Sequence, residues 1–140
     1  MNRIVVSLLV ATFGFGTPAF ASEDMVAAGE KVFKKCKACH AVGEGAKNKV
    51  GPQLNNLFGR VPGMGDDYRY SKAMVAYGED GKVWDDELLT AFLAAPKKAV
   101  KGTKMGFRGL KKADDIANIL EYLKTFDADE ESDPKEESSG

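Results

Sequence analysis

Cysteine occurs twice in this chain and histidine once, and all three fall within five consecutive residues, Cys36-Lys37-Ala38-Cys39-His40. Any fold has to be built around that cluster, because no thiol or imidazole is left to make a second one. A disulfide between the two cysteines closes so short a loop that it removes little freedom from the unfolded chain, a weak reason to place them there. Zinc wants four closed ligands, and the cluster offers three; a carboxylate could complete the set, but nothing in the sequence marks one out. A thiol redox site of the thioredoxin kind wants a strand before the cysteines and a βαβ pattern around them, whereas a helical pattern precedes them here. The spacing, with histidine following at once, is also that of covalent haem attachment. Two thiols so spaced can reach both vinyl groups of one porphyrin, while the imidazole is carried beneath the iron as proximal ligand. The adjoining histidine, the helical context and the export signal described next favour this last chemistry.

The amino terminus reads as a targeting segment. Arg3 gives a positive start, Ile4 to Gly16 is an apolar stretch, and Ala19-Phe20-Ala21 is a small-x-small cleavage site. The apolar run is shorter than the roughly 20 residues that span a bilayer, so the expectation is a signal peptide over residues 1–21, cut after Ala21, and a periplasmic protein without stable membrane insertion. What remains is enough for one small domain, expected over residues 22–126.

Charge is segregated along the chain. Residues 22 to 126 carry 18 Lys and Arg against 14 Asp and Glu, whereas residues 127–140 hold seven acidic residues and one lysine. The terminal stretch has no large apolar group to offset ordering entropy, so an acidic disordered tail is expected. If that tail folds back on the basic domain, its removal should accelerate encounter with partners at low salt. The excess of +4 on the domain falls short of a nucleic-acid footprint.

Periodicity is helical wherever it is clear. Asp24 can cap a first helix with Met25, Gly29, Val32, Phe33 and Cys36 on one side. Ser71 can cap a short helix through Tyr77, stopped by Gly78. Asp85 can cap another with Leu88, Leu89, Phe92 and Leu93 on one face, ended by Pro96. The last carries Ile116, Ile119, Leu120 and Leu123 at i, i+3, i+4 and i+7, with acids at its positive end and Lys124 at its negative one. Between them lie two irregular stretches, residues 41 to 70 and residues 97 to 110, both rich in glycine. The class is all-α, and loops of such length need something to wrap. A flat apolar cofactor answers that need and makes the fold haem-dependent.

With His40 the only histidine, two histidines on one iron are impossible within this chain. The sixth position is therefore a methionine, another weak donor, or open. Met25 falls on the first helix, and Met64 and Met74 in or beside the first irregular stretch. Met105 lies in the loop Gly102-Thr103-Lys104-Met105-Gly106-Phe107, where a thioether can be offered without distorting a helix.

Several signatures run in a fixed order: Gly29 with Phe33, the Cys36 to His40 cluster, Gly51-Pro52-Gln53-Leu54, Gly59-Arg60, Tyr70, Trp84, Pro96-Lys97-Lys98, Thr103-Lys104-Met105 and Tyr122. In these the chain resembles the class I cytochromes c, and among them the bacterial cytochrome c2 group. The resemblance covers about residues 24 to 126 and implies four to five helices around one covalently bound haem c, the first and last crossing near Gly29 and Tyr122. It implies covalent attachment at Cys36 and Cys39, and His40 and Met105 as axial ligands of the iron. Pro52 becomes the acceptor for the His40 ring, Arg60, Tyr70 and Trp84 partners of the propionates, and Phe107 a cover over the haem edge. Phe92 stands where relatives often carry tyrosine and Met74 where asparagine is frequent, so two hydrogen-bonding groups near the haem are missing.

The function so implied is that of a monomeric electron carrier, not an enzyme, moving single electrons by outer-sphere transfer with both axial ligands kept. Nothing in the sequence suggests an acid/base or nucleophilic constellation. Lys35, Lys37, Lys97, Lys98, Lys104, Lys111 and Lys112 fall near the haem-binding segments, and by the resemblance they surround the exposed haem edge. They would steer the protein towards acidic surfaces of redox partners. The partners implied are a cytochrome bc1-type quinol-oxidising complex as donor and a cytochrome oxidase or photosynthetic reaction centre as acceptor. The rival is a ligand-binding or peroxidase-like cytochrome with an open sixth position, and Met105 discriminates between the two.

Overall fold

The structure, a computed structural model, describes residues 19–128. Five helices follow one another: α1 (Ala19–Phe33), α2 (Lys72–Glu79), α3 (Asp86–Ala94), α4 (Pro96–Ala99) and α5 (Ala113–Lys124). No strand occurs among the described residues, in accord with the all-α expectation and the four to five helices it predicted.

The frame is the crossing of α1 and α5. A Cβ on Gly29 would lie 2.1 Å from the Asn118 carbonyl oxygen and 2.7 Å from the Tyr122 Cβ, so the two backbones touch where only glycine fits. Next to that point the rings of Phe33 and Tyr122 pack with centroids 5.5 Å apart. The apolar stripe of α5 supplies Ile116, Ile119, Leu120 and Leu123, all buried. These merge with Val32, Leu57, Met74, Trp84, Leu89, Phe92, Leu93, Val100 and Leu110 in one core, and no polar or charged residue is buried among the described residues.

Local chemistry explains most helix ends and corrects several expectations. Asp24 lies inside α1, because Ala19 to Glu23 hold neither proline nor glycine and continue the helix. That helix stops at Phe33, three residues short of Cys36. The Ser71 hydroxyl accepts from the Met74 amide at 3.1 Å and starts α2 as expected. Gly78 does not stop it. This glycine is buried within α2, where a Cβ would lie 2.0 Å from the Pro62 carbonyl oxygen; the chain turns at Gly81, with φ +73°. Asp85 caps α3, its carboxylate accepting from the Leu88 amide at 2.7 Å. Pro96 ends α3 and also begins α4, where its missing N–H costs nothing, so the second irregular stretch starts only after Ala99.

The carboxyl end of the domain is tied down further than charge suggested. The Asp127 carboxylate, assigned by composition to the tail, accepts from the Leu57 amide at 2.9 Å, and the Asn56 amide donates to the Phe126 carbonyl at 3.1 Å. Of the signal peptide expected over residues 1–21 and the tail expected over residues 127–140, residues 1–18 and 129–140 lie outside the described residues.

Candidate functional site

The site grows from the end of α1. The Cys36 and Lys37 amides both donate to the Phe33 carbonyl, at 2.7 and 3.1 Å, and the Cys39 and His40 amides to the Cys36 carbonyl, at 3.0 and 2.9 Å. These tight turns set both cysteines and the histidine on one short rigid segment. Both thiols are free and half-buried. Burial pushes the Cys36 thiol up to about 11, which keeps it protonated and is the reverse of the activation a redox thiol needs. Among the described residues no group of three His, Cys, Asp or Glu side chains could hold a metal ion.

His40 is oriented by the loop that follows. Its Nδ1–H donates to the Pro52 carbonyl at 2.7 Å, so Nε2 is the nitrogen left for a metal. A Cβ on Gly51 would come within 2.5 Å of the ring Cε1, which is why a glycine precedes Pro52. Burial holds the imidazole below its ordinary pKa and so neutral at neutral pH, the form that ligates.

Arg60, Tyr70 and Trp84 come together on the next stretch. Backbone pairing joins the first and last: the Trp84 amide donates to the Arg60 carbonyl at 2.9 Å and the Gly59 amide to the Trp84 carbonyl at 2.8 Å. Arg60 and Tyr70 meet at Gly65, where a Cβ would lie 2.1 Å from the Tyr70 hydroxyl and 3.0 Å from an Arg60 nitrogen. The Arg60 guanidinium also donates to the Gln53 carbonyl at 3.4 Å and to the Asn55 carbonyl. Sequence reasoning missed the groups that shape this loop. Asn55 exchanges two 2.8 Å hydrogen bonds with the backbone of Gly43, and Asn48 accepts from the Gln53 amide at 2.9 Å while donating to the Asp66 carbonyl at 3.0 Å. The available signal was asparagine in a glycine-rich loop, where its amide stands in for backbone partners.

Across the core, Met105 and Phe107 are half-buried in the loop before α5 and pack on the same cluster as Met74, Trp84 and Phe92. The loop is held by the Thr103 hydroxyl, which accepts from the Met105 amide at 3.3 Å, and by Lys104, whose Nζ donates to the Arg69 carbonyl at 2.6 Å. The seven lysines singled out by sequence are exposed. Three are partly engaged: Lys104 as above, Lys111 with the Arg108 carbonyl at 3.0 Å, and Lys35 with Asp115 at 3.6 Å.

Two unbridged thiols beside an imidazole with one committed nitrogen, set against an apolar core with no buried polar group, form a donor set that fits a covalently held porphyrin. That arrangement, on five helices with the first and last crossing at a glycine, defines a c-type cytochrome. Comparison with known proteins agrees: the cytochrome c family profile matches residues 26–127, and the chain belongs to that family. The chain is similar to cytochrome c2 of Afifella marina, 59% identical over 111 residues that cover 79% of this chain and 90% of the relative. It is similar to cytochrome c-554 of Methylosinus trichosporium, 45% identical over 132 residues, with 92% and 97% covered. Among solved structures, cytochrome c2 from Rhodospirillum centenum superposes with a TM-score of 0.69 at 38% identity, covering 74% of this chain and 98% of that one. The protein carries one haem c, bound covalently through Cys36 and Cys39, and is an electron carrier rather than an enzyme.

Proposed function

We propose that this is a soluble periplasmic shuttle that moves single electrons through a haem iron ligated by His40 and Met105. Its donor is a cytochrome bc1-type quinol-oxidising complex, and its acceptor a terminal oxidase or photosynthetic reaction centre. The observation that carries the reading is the 2.7 Å hydrogen bond from His40 Nδ1 to the Pro52 carbonyl, which fixes the ring and raises the donor strength of Nε2. When bound, the haem supplies reversible one-electron chemistry, biased towards the reduced state by a thioether ligand relative to two histidines.

The chain's own residues do the rest. Cys36 and Cys39 anchor the porphyrin edge, and the Thr103 and Lys104 contacts hold the Met105 loop against the core. Arg60, Tyr70 and Trp84 offer donors to the propionates, with the guanidinium also bracing residues 53 and 55. Phe107 excludes water from the haem edge. Export precedes assembly: cleavage after Ala21 shortens α1 and starts it at Ser22-Glu23-Asp24, whose polar and acidic groups suit a helix's positive end.

Docking is electrostatic in this account, so the second-order rate constant for reduction by membranes containing the donor complex should fall steeply with added salt. A charge-removing Lys97→Gln, Lys98→Gln double variant should flatten that dependence. A rate independent of ionic strength would contradict docking through the lysine-rich face.

A further inference from the structure

Phe126, Asp127 and Ala128, which follow α5, each give or take one hydrogen bond at the bend Asn56-Leu57. The Asn56 amide donates to the Phe126 carbonyl at 3.1 Å, the Leu57 amide to the Asp127 carboxylate at 2.9 Å, and the Ala128 amide to the Asn56 side-chain oxygen. Asn56 sits at φ +53°, a left-handed conformation that asparagine enters more readily than most residues. Glycine would fit that backbone too, but without the bond to Ala128. Leu57 also opens the tight turn that carries Arg60: the Arg60 amide closes it on the Leu57 carbonyl at 3.2 Å. The guanidinium returns to the same segment through the Asn55 carbonyl. Arg60 is thus tied by backbone and by side chain to residues that the end of α5 holds in place.

We infer that Asn56 and Asp127 are positioning residues of the haem site: by gripping the turn at Leu57 they hold the Arg60 guanidinium for a haem propionate, and so set the pH at which that carboxyl ionises and the reduction potential changes. The inference rests on the reading of Arg60 as a propionate partner. A guanidinium held beside a carboxyl favours its ionised form and lowers its pKa. Negative charge on the porphyrin edge favours the more positive oxidised iron, so the potential falls as pH rises through that pKa. A loosened Arg60 moves the fall to higher pH. The other charges facing the turn are Asp127 itself and Lys124 of α5, which is paired with Asp86 of α3 and with Glu121, while the Tyr70 hydroxyl meets Arg60 at Gly65.

The test compares two variants of the haem-loaded protein that both lack the Asp127 charge. Asp127→Asn keeps an acceptor for the Leu57 amide and Asp127→Ala removes it, so a difference between the two reports position and not charge. Midpoint potentials are measured as a function of pH. The fall in potential should lie about one pH unit higher in the alanine variant than in the asparagine variant, the size expected when one hydrogen bond to a charged group is weakened. Hydrogen exchange should be fast at the Leu57 amide in the first and slow in the second. Asn56→Gly, which keeps the left-handed bend and loses only the Ala128 bond, should move the fall the same way by less. Ala117→Gly loosens an exposed position inside α5 and should leave the fall where the parent has it. Arg60→Gln should move it at least as far as Asp127→Ala. Coincident profiles for the two Asp127 variants, with Arg60→Gln displaced, would overturn the clamp and spare Arg60. A fall that is absent, or that Arg60→Gln leaves in place, would overturn the reading of Arg60 and the clamp's redox role with it. An equal displacement in Ala117→Gly would mean general loosening and would overturn positioning.

Discussion

At the scale of single residues, the most exacting contact is Gly51 under the His40 ring. A methyl group there would lie 2.5 Å from Cε1. Gly51→Ala should therefore displace the imidazole and weaken its hydrogen bond to Pro52. A poorer donor ligand stabilises the oxidised state less, so the midpoint potential of the variant should rise in a potentiometric titration. Asp127 makes a second claim. Burial, only partly offset by the Leu57 and Phe58 amides, raises its carboxyl above the usual 3.8. A group raised in the fold stabilises most below its unfolded pKa, and that contribution is lost as pH rises through the folded value. Asp127→Asn keeps the acceptor and drops the desolvated charge, so it should match the parent at low pH, where the carboxyl is protonated, and be somewhat more stable than the parent at neutral pH. Asp127→Ala leaves the Leu57 amide without its partner and should cost about 1 kcal/mol in urea unfolding.

At the scale of elements, caps and close approaches decide where helices lie. Removing the side-chain cap of α2 with Ser71→Ala, or of α3 with Asp85→Ala, should cost about 1 kcal/mol each by chemical denaturation. Both caps were readable, as was the stripe of α5, because they depend on neighbours in sequence. Gly78 was not. It looked like a helix stop, yet it is there because the Pro62 carbonyl packs against α2, a contact between segments far apart in sequence. The start of α1 was misjudged because a good cap residue, Asp24, says where a helix can begin and not that it must. The site divides along the same line. The cluster from Cys36 to His40 and the acceptor Pro52 were legible, the second through resemblance, whereas Asn48, Asn55 and Gly65 shape the loop through contacts that no local pattern announces.

At the scale of the whole molecule, the core among the described residues is apolar, and irregular chain carries Leu57 into it from the long loop before α2 and Trp84 from the short connection between α2 and α3. One small domain so built is expected to depend on its cofactor. A Cys36→Ser, Cys39→Ser double variant, unable to attach haem, should lose most of its far-ultraviolet helical signal and unfold without a cooperative transition; a cooperative, helical apoprotein would contradict this dependence. The central claim is an iron closed by His40 on one side and Met105 on the other. It is tested most directly by absorption spectra of the purified protein, oxidised and reduced, the latter before and after carbon monoxide. The account predicts a thioether charge-transfer band in the oxidised form, its loss in Met105→Ala, and little carbon monoxide binding by the parent. Rapid and complete carbon monoxide binding by the parent would mean an open sixth position, and the electron shuttle would give way to a ligand-binding cytochrome.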